Sequence, residues 1–474
     1  MKRGDTLHLN LETFAFEGKS IAKVDGMVVF VRGGVPGDEV RVQLTKVKKQ
    51  FAEGEIAEVI NASPLREKPR CKYFGICGGC KWQQVNYQAQ LDFKRQHVVD
   101  VLERIGGLSG VKVNPTLGSD ETYFYRNKME FSFGDRWLTR EEMENRKPGN
   151  GDRKPSDRFA LGLHIPERFD KVLDIDECWL QSERSHQIVN EVRSFCRSRA
   201  LSVYSTFTHS GYLRNLVIRE SKRTAEVMVN LVTSEDRPEN MKELRDRLLA
   251  QFPFITTIVN NITTRKSQVA IGEFEKVYHG NGYIREKLGD RIYRISAGSF
   301  FQTNTLQAER LYDAATRMGH FHPTDTVCDL YSGTGTIALH IADHVERVVC
   351  IESVEASVKD ARANAALNNV VNCEFVHGDV KDLLLAGEGR ISGFPPPDVV
   401  IVDPPRSGVH PKVIDCVVRF RPRQIVYISC NPSTQARDLK PLCEQGYLLD
   451  EVQPVDMFPH TFHIENVVSL SRNE

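Results

Sequence analysis

Thr326-Val327-Cys328-Asp329-Leu330-Tyr331-Ser332-Gly333-Thr334-Gly335-Thr336 is the stretch that decides the fold. It reads as a buried strand, a glycine turn and the start of a helix. Glycines at such a point let the backbone approach a ligand, and ligands gather at the carboxyl ends of parallel strands. Outward from this stretch, further strands are predicted at Arg347–Ile351, Cys373–Val376, Asp398–Val402, Gln424–Ser429 and Asn466–Leu470, with helices between them, the clearest from Val354 to Leu367. Continuous apolar strands alternating with helices mean a parallel sheet covered on both faces. Tyr447–Val452 and Ile464–Leu470 predict a hairpin added at one edge. The expected fold class for residues 286–474 is therefore α/β, a Rossmann-like and mostly parallel sheet.

With 474 residues the chain is long for one domain. We expect three, at 1–61, 62–285 and 286–474. Sixty-three basic residues balance 63 acidic ones, so contact with nucleic acid must come from local patches, not a global field. No run of about 18 apolar residues supports a membrane span. Met1-Lys2-Arg3-Gly4-Asp5-Thr6 lacks the apolar core of a signal peptide. Eleven cysteines, an odd number, argue against a disulfide framework and for a reducing, cytoplasmic setting. Residues 1–61 carry four or five short β patterns broken at Gly18, Gly26, Gly33-Gly34 and Pro36-Gly37, which suggests a small barrel of the oligonucleotide-binding kind. Lys46, Lys48 and Lys49 beside it serve equally as a solvated face or an RNA contact. Ala62-Ser63-Pro64 reads as a linker. The middle of the chain mixes strands such as Lys128–Phe133 and Leu216–Arg219 with helical stretches such as Arg184–Ser198, for an α+β domain. Arg140 to Arg158, highly charged and rich in Gly and Pro, reads as a mobile excursion.

Glu352 follows the second strand, 19 positions after Gly333, where an acid can bind ribose hydroxyls. His377-Gly378-Asp379 follows the third strand. The full dinucleotide fingerprint is absent, so S-adenosylmethionine, with a ribose but no pyrophosphate, fits better. Asp403-Pro404-Pro405-Arg406 ends the fourth strand, and two prolines turn the chain out over the cofactor edge. In amino-group methyltransferases a related motif ends in an aromatic residue that stacks on the base. Arg406 stands there instead, which disfavours an amine target.

Ile425-Val426-Tyr427-Ile428-Ser429-Cys430-Asn431-Pro432 reads as a buried strand that ends in a thiol and opens a helix, with Asn431 as N-cap and Pro432 at the first helical position. The partial positive charge of a helix N-terminus favours thiolate over thiol, so the expectation is a nucleophile with a lowered pKa. Carbon 5 of a pyrimidine does not take a methyl group unaided. A thiolate adding to carbon 6 makes an enolate whose carbon 5 can attack a sulfonium methyl, and a base must then remove the carbon 5 proton. His463-Ile464-Glu465 supplies a carboxylate at a strand start, where burial would raise its pKa toward that of a useful base.

These motifs together resemble the RNA 5-methyluridine methyltransferases that use S-adenosylmethionine. The resemblance lies in Phe301-Gln302-Thr303-Asn304, Asp329–Gly335, Asp403–Arg406, Ser429–Pro432 and His463–Glu465, in family order over about 170 residues. It implies a class I methyltransferase domain, Cys430 as nucleophile and Glu465 as base. It also implies Gln302, Tyr331, Glu352 and Asp403 as cofactor contacts, to which position in the sheet adds Gly333 and Asp379. Thr336 departs from the family, where many members carry Asn. The N-terminal barrel resembles a TRAM domain, an RNA-binding module.

Cys71-x5-Cys77-Gly78-Gly79-Cys80 offers three soft ligands on a tight turn, and Cys178 is a candidate fourth. Four thiolates suit zinc or an iron–sulfur cluster, and spacing favours neither. The family resemblance, continuing through Gln83 and Tyr87, implies a [4Fe-4S] cluster, and barrel plus cluster imply 23S ribosomal RNA over transfer RNA as substrate. Two alternatives from other classes remain at this point: a non-catalytic iron–sulfur RNA-binding redox sensor, and a methyltransferase of proteins or small molecules. The sequence does not reveal oligomeric state.

Overall fold

The computed structural model describes residues 1–134, 137–138, 159–166, 168–266, 272–387, 391 and 393–473. The excursion expected over Arg140–Arg158 lies outside the described residues. The N-terminal unit is a six-stranded sheet, not four or five strands, in the order Thr6–Asn10, Glu39–Val47, Phe51–Asn61, Met27–Arg32, Ser20–Val24, Thr13–Phe14. Its strands pair antiparallel except Met27–Arg32 with Phe51–Asn61. Alternate residues such as Val29, Val31, Val40 and Val42 point inward to a small core.

In the middle of the chain, Phe274–His279, Thr257–Ile262, Val227–Thr233, Leu213–Glu220, Lys128–Gly134, Ala160–Ile165, Arg168–Asp174 and Trp137–Leu138 form one mixed sheet in that spatial order. Helices Glu183–Ser198 and Pro238–Gln251 pack on it through Ile188, Val192, Met241 and Leu244.

The C-terminal sheet has seven strands: β1 Thr326–Leu330, β2 Arg347–Glu352, β3 Cys373–His377, β4 Val399–Val402, β5 Gln424–Ser429, β6 Tyr447–Val455 and β7 Glu465–Arg472. Their spatial order is β3-β2-β1-β4-β5-β7-β6. β1 to β5 are parallel and β7 runs antiparallel to both neighbours, so the expected edge hairpin is present. Successive residues feed two different cores. Val327, Val348, Ile401 and Val426 face one side, Cys328, Val349, Val400 and Ile425 the other. Burial on both faces is the physical reason these strands read as unbroken apolar runs.

Two features cross the divisions expected from the sequence. Helix Tyr87–Arg104 belongs to 62–285 by position, yet its Val98, Val101 and Leu102 pack into the core of the C-terminal sheet. The strand Tyr283–Leu288, paired with Arg291–Ser296, spans the expected boundary at 285/286. Among the described residues no helix is long and apolar enough to cross a membrane.

Candidate active site

The site is built at the carboxyl ends of β1, β2, β4 and β5, where the strands stop and the helices begin. Cys430 follows β5 directly, and Asn431 caps the next helix, Pro432–Glu444, by accepting from the Ser433 N–H at 3.1 Å. Ser429 is paired with Asn466 across the antiparallel ladder, which brings Cys430, the residue after β5, close to Glu465 at the start of β7. Two hydrogen bonds tie the Asp403–Arg406 turn to the same helix start. Asn431 Nδ2 and Thr434 Oγ1 donate to the Arg406 carbonyl at 3.1 and 3.2 Å. The cap of the thiol-bearing helix therefore also fixes the turn after β4.

The electrostatics differ from the expectation of a lowered thiol pKa. Burial pushes Cys430 up to about 11, Glu465 and Asp403 push the same way, and only Arg406 pulls it down. Dehydration and two carboxyls outweigh the helix dipole, which is worth only a fraction of a full charge. Glu465 is 4% exposed. Burial raises its pKa well above the ordinary carboxylate range, Asp403 adds to the rise and Arg406 opposes it. Asp403 keeps some surface, but crowding of its carboxyl by protein atoms lifts it to about 7.

A further acid, for which the sequence suggests no role, lies one residue before the end of β1. Asp329 is fully buried, and neither carboxylate oxygen has a hydrogen-bond partner of normal geometry; the nearby Ala338 N–H relieves it only weakly. Burial, Asp403 and Glu352 all raise its pKa. A buried carboxylate without a partner is costly, and a cationic ligand would remove that cost. The sequence signal was an acid inside an otherwise apolar strand.

The glycine turn follows at once. Tyr331 (φ 67°), Gly333 (φ 55°) and Gly335 (φ 75°) all take left-handed backbone, and the space where a Gly333 side chain would stand is open. Glu352 accepts from the Gly333 N–H at 2.9 Å and from the Val354 N–H at 2.7 Å, so it holds the turn open from the end of β2. Asp379 caps the helix Val380–Ala386; burial raises the Tyr331 phenol pKa, and Asp379 nearby adds to the rise. Thr334 Oγ1 donates to the Phe300 carbonyl at 3.3 Å, placing the Phe301-Gln302 segment beside the turn. The Gln302 backbone carbonyl accepts from Asn127 Nδ2 at 2.8 Å. Thus Cys430, Glu465, Asp403 and Arg406 come together, and Asp329, Glu352, Gly333, Tyr331 and Asp379 line the neighbouring strand ends. Acidic groups whose ionisation is opposed by burial, Asp329 without a hydrogen-bond partner of normal geometry, beside an open glycine turn suit S-adenosylmethionine, because its cationic sulfonium and ammonium groups would favour their ionised form.

The four cysteines expected as ligands line a single pocket with Phe74, Leu163, Ile175 and Leu180. All four are free thiols whose pKa is raised by burial. Gln83 Oε1 accepts from the Cys71 N–H at 3.1 Å and braces the loop. Among the described residues no group of three or more His, Cys, Asp or Glu side chains is placed to hold a metal ion, so the expected iron–sulfur centre is not established by this arrangement.

Comparison with known proteins agrees with this geometry. Residues 225–473 match the tRNA (uracil-5-)-methyltransferase family and residues 1–57 match the TRAM domain. An uncharacterized RNA methyltransferase of Chlorobaculum tepidum is 45% identical over 100% of this chain and 98% of its own length. One from Porphyromonas gingivalis is 42% identical over 98% of this chain and 100% of its own. The crystal structure of Pyrococcus abyssi tRNA (uracil-54, C5)-methyltransferase in complex with S-adenosyl-L-homocysteine superposes with a TM-score of 0.73 at 30% identity, over 98% of this chain and 100% of that one. The chain therefore belongs to the tRNA (uracil-5-)-methyltransferase family, as an S-adenosylmethionine-dependent RNA methyltransferase that carries an N-terminal TRAM domain.

Proposed function

We propose that this enzyme methylates carbon 5 of a uridine in structured RNA through a temporary bond between Cys430 and carbon 6. The observation that carries this reading is the register of β5 and β7, which sets a thiol and a buried carboxyl side by side with Arg406 next to both. The Cys430 thiol gives its proton to solvent, and Arg406 stabilises the thiolate. Sγ adds to carbon 6, the carbon 5–carbon 6 double bond opens and its electron pair moves to carbon 5. Asp329, Gly333, Tyr331, Glu352, Asp379, Asp403 and Gln302 would hold S-adenosylmethionine, which would supply the methyl group to that carbon, the sulfur–methyl bond breaking with its pair to leave a neutral thioether. Glu465 then takes the carbon 5 proton, the double bond re-forms and Sγ leaves carbon 6. Glu465 must be ionised for this step, and cationic charge beside the buried acids lowers its pKa toward that state. The uridine must be turned out of its stack to reach Cys430, so selection rests on loop shape and splayed bases.

Large-subunit ribosomal RNA is the substrate we infer first, because a barrel and a cysteine loop accompany the catalytic domain. Transfer RNA is the second reading, favoured by a specific observation: the archaeal relative named as a tRNA methyltransferase aligns over nearly the whole of this chain. Mapping 5-methyluridine in ribosomal and transfer RNA from cells with and without the protein separates the two. We also infer that Cys71, Cys77, Cys80 and Cys178 hold a [4Fe-4S] cluster. Four thiols, Cys178 buried and the others partly so, line one apolar pocket and support it. A cluster supplies electron-transfer capacity, which no step above uses, so its role here is structural. Iron and sulfide in anaerobically purified protein test this; zinc alone, or no metal, overturns it.

For the chemistry, RNA with 5-fluorouridine at the target is decisive, because fluorine cannot leave as a proton. The wild type should form a covalent complex stable to denaturation, and Cys430→Ala should form none. A complex that persists in Cys430→Ala rejects the nucleophile assignment.

A further inference from the structure

The helix Tyr87–Arg104 carries no catalytic group, yet it grips the segment that delivers Glu465. Val455, the last residue of β6, is paired with Glu465 across the hairpin. The next residue, Asp456, is fully buried and bonded to the fully buried Lys94 at 2.5 Å. Tyr87 donates its hydroxyl to the other Asp456 oxygen at 2.9 Å, and Lys94 also reaches the Phe458 carbonyl at 3.2 Å. Four residues on, His460 holds a left-handed backbone (φ 64°) that costs energy for any residue with a side chain. Gln90 of the same helix accepts from the His460 N–H at 2.9 Å. The His460 carbonyl accepts from the Lys81 and Trp82 N–H groups, both at 2.9 Å, immediately after Cys80. The 456–463 segment is thus clamped from the helix and from the cysteine loop together.

We propose that Tyr87 and Lys94 are positioning residues for Glu465, acting through Asp456 at the mouth of the β6–β7 hairpin. The inference rests on the covalent reading above, in which Glu465 acts only after methyl transfer. Proton abstraction from carbon 5 needs the carboxylate within hydrogen-bond reach, and a misplacement of about 1 Å costs on the order of 100-fold. Nucleophilic addition by Cys430, fixed by β5 and its own helix cap, does not depend on that segment. Loosening the clamp should therefore slow release while leaving addition and methyl transfer nearly intact.

The test uses the full-length protein with Lys94→Met and, as a milder change that removes one hydroxyl, Tyr87→Phe. On ordinary RNA, Lys94→Met should lower kcat about 100-fold and accumulate an adduct visible on a denaturing gel, with KM falling alongside kcat so that kcat/KM stays close to the wild type. Tyr87→Phe should do the same more weakly, within about tenfold. On 5-fluorouridine RNA both should form the trapped complex at close to the wild-type rate. A general structural role would instead depress trapping and release together, and that outcome, or wild-type turnover by both variants, overturns the proposal. Should Lys94→Met not fold, Tyr87→Phe decides alone. If the wild type itself traps nothing on 5-fluorouridine RNA, the covalent reading falls first and this inference falls with it.

Discussion

The surroundings of Cys430 and of Cys178 both take thiols partly or wholly out of water, and burial raises the thiol pKa in both. They differ in what stands beside the sulfur. Cys430 has an arginine and two carboxyls next to it, so its charge state answers to ligands. Cys178, Cys77 and Cys80 have mainly one another and apolar walls. Such thiols are poor nucleophiles and become thiolates only on binding a metal or cluster. In the reading proposed above, the same element serves chemistry in one place and cohesion in the other, and the neighbours decide which.

The sharpest way to break this comparison is to remove one sulfur from each pocket. Cys430→Ala should lower turnover by at least about 1000-fold while the melting temperature stays within a few degrees of wild type. Cys178→Ala should act the other way, lowering the melting temperature, and with it the iron content that the proposed cluster predicts, before it lowers the chemistry of the protein that remains folded. If Cys178→Ala abolishes trapping on 5-fluorouridine RNA in well-folded protein, the two pockets are not separate in function.

Asp403 gives the next largest effect. Its pKa of about 7 in the folded chain lies above its ordinary value near 4, so the native state keeps a proton that the unfolded chain releases. Its contribution to stability is complete below about pH 4 and is lost as pH rises through about 7. Asp403→Asn should therefore melt higher than wild type at pH 8 in the absence of cofactor, and equally at pH 4. It should bind S-adenosylmethionine about 10- to 100-fold more weakly by calorimetry. A variant that binds the cofactor normally removes Asp403 from the cofactor site.

The smallest expected effect concerns Arg406. It is the group that pulls the Cys430 thiol and Glu465 down, so Arg406→Gln should leave less thiolate at neutral pH. The rate of trapping on 5-fluorouridine RNA should fall by about tenfold at pH 7 and recover as pH rises, moving the profile in the alkaline direction. An unshifted profile would show that Arg406 serves RNA binding alone.

Much of the catalytic half was legible because parallel β topology is written locally. Thr326–Leu330, Arg347–Glu352, Val399–Val402 and Gln424–Ser429 show as largely apolar runs ended by turn chemistry, and ligands collect at those ends whatever the helices between them are. Asp329 was legible as an acid in a buried strand, but that it lacks a partner was not, since partners come from elsewhere in the chain. The lowered thiol pKa was misjudged for a related reason. The helix cap at Asn431 is local, whereas Asp403 and Glu465 arrive from 27 residues before and 35 after Cys430. The helix Tyr87–Arg104 was assigned by position to the middle of the chain. Its burial against β6 and its Lys94–Asp456 pair join residues 362 apart, which no window of sequence displays.

The sequence by itself determined the order of strands and glycine turns, the thiol at a helix start, the compact cysteine spacing and the edge hairpin. Each depends on neighbours within a few residues, where side-chain periodicity and backbone sterics act. Only the tertiary structure decided which charges surround that thiol, that Asp329 is left without a partner, and that a helix from the first quarter of the chain grips the strand end bearing Glu465. Those outcomes depend on burial and on contacts between distant segments, and dehydration of a charge is a property of the packed molecule.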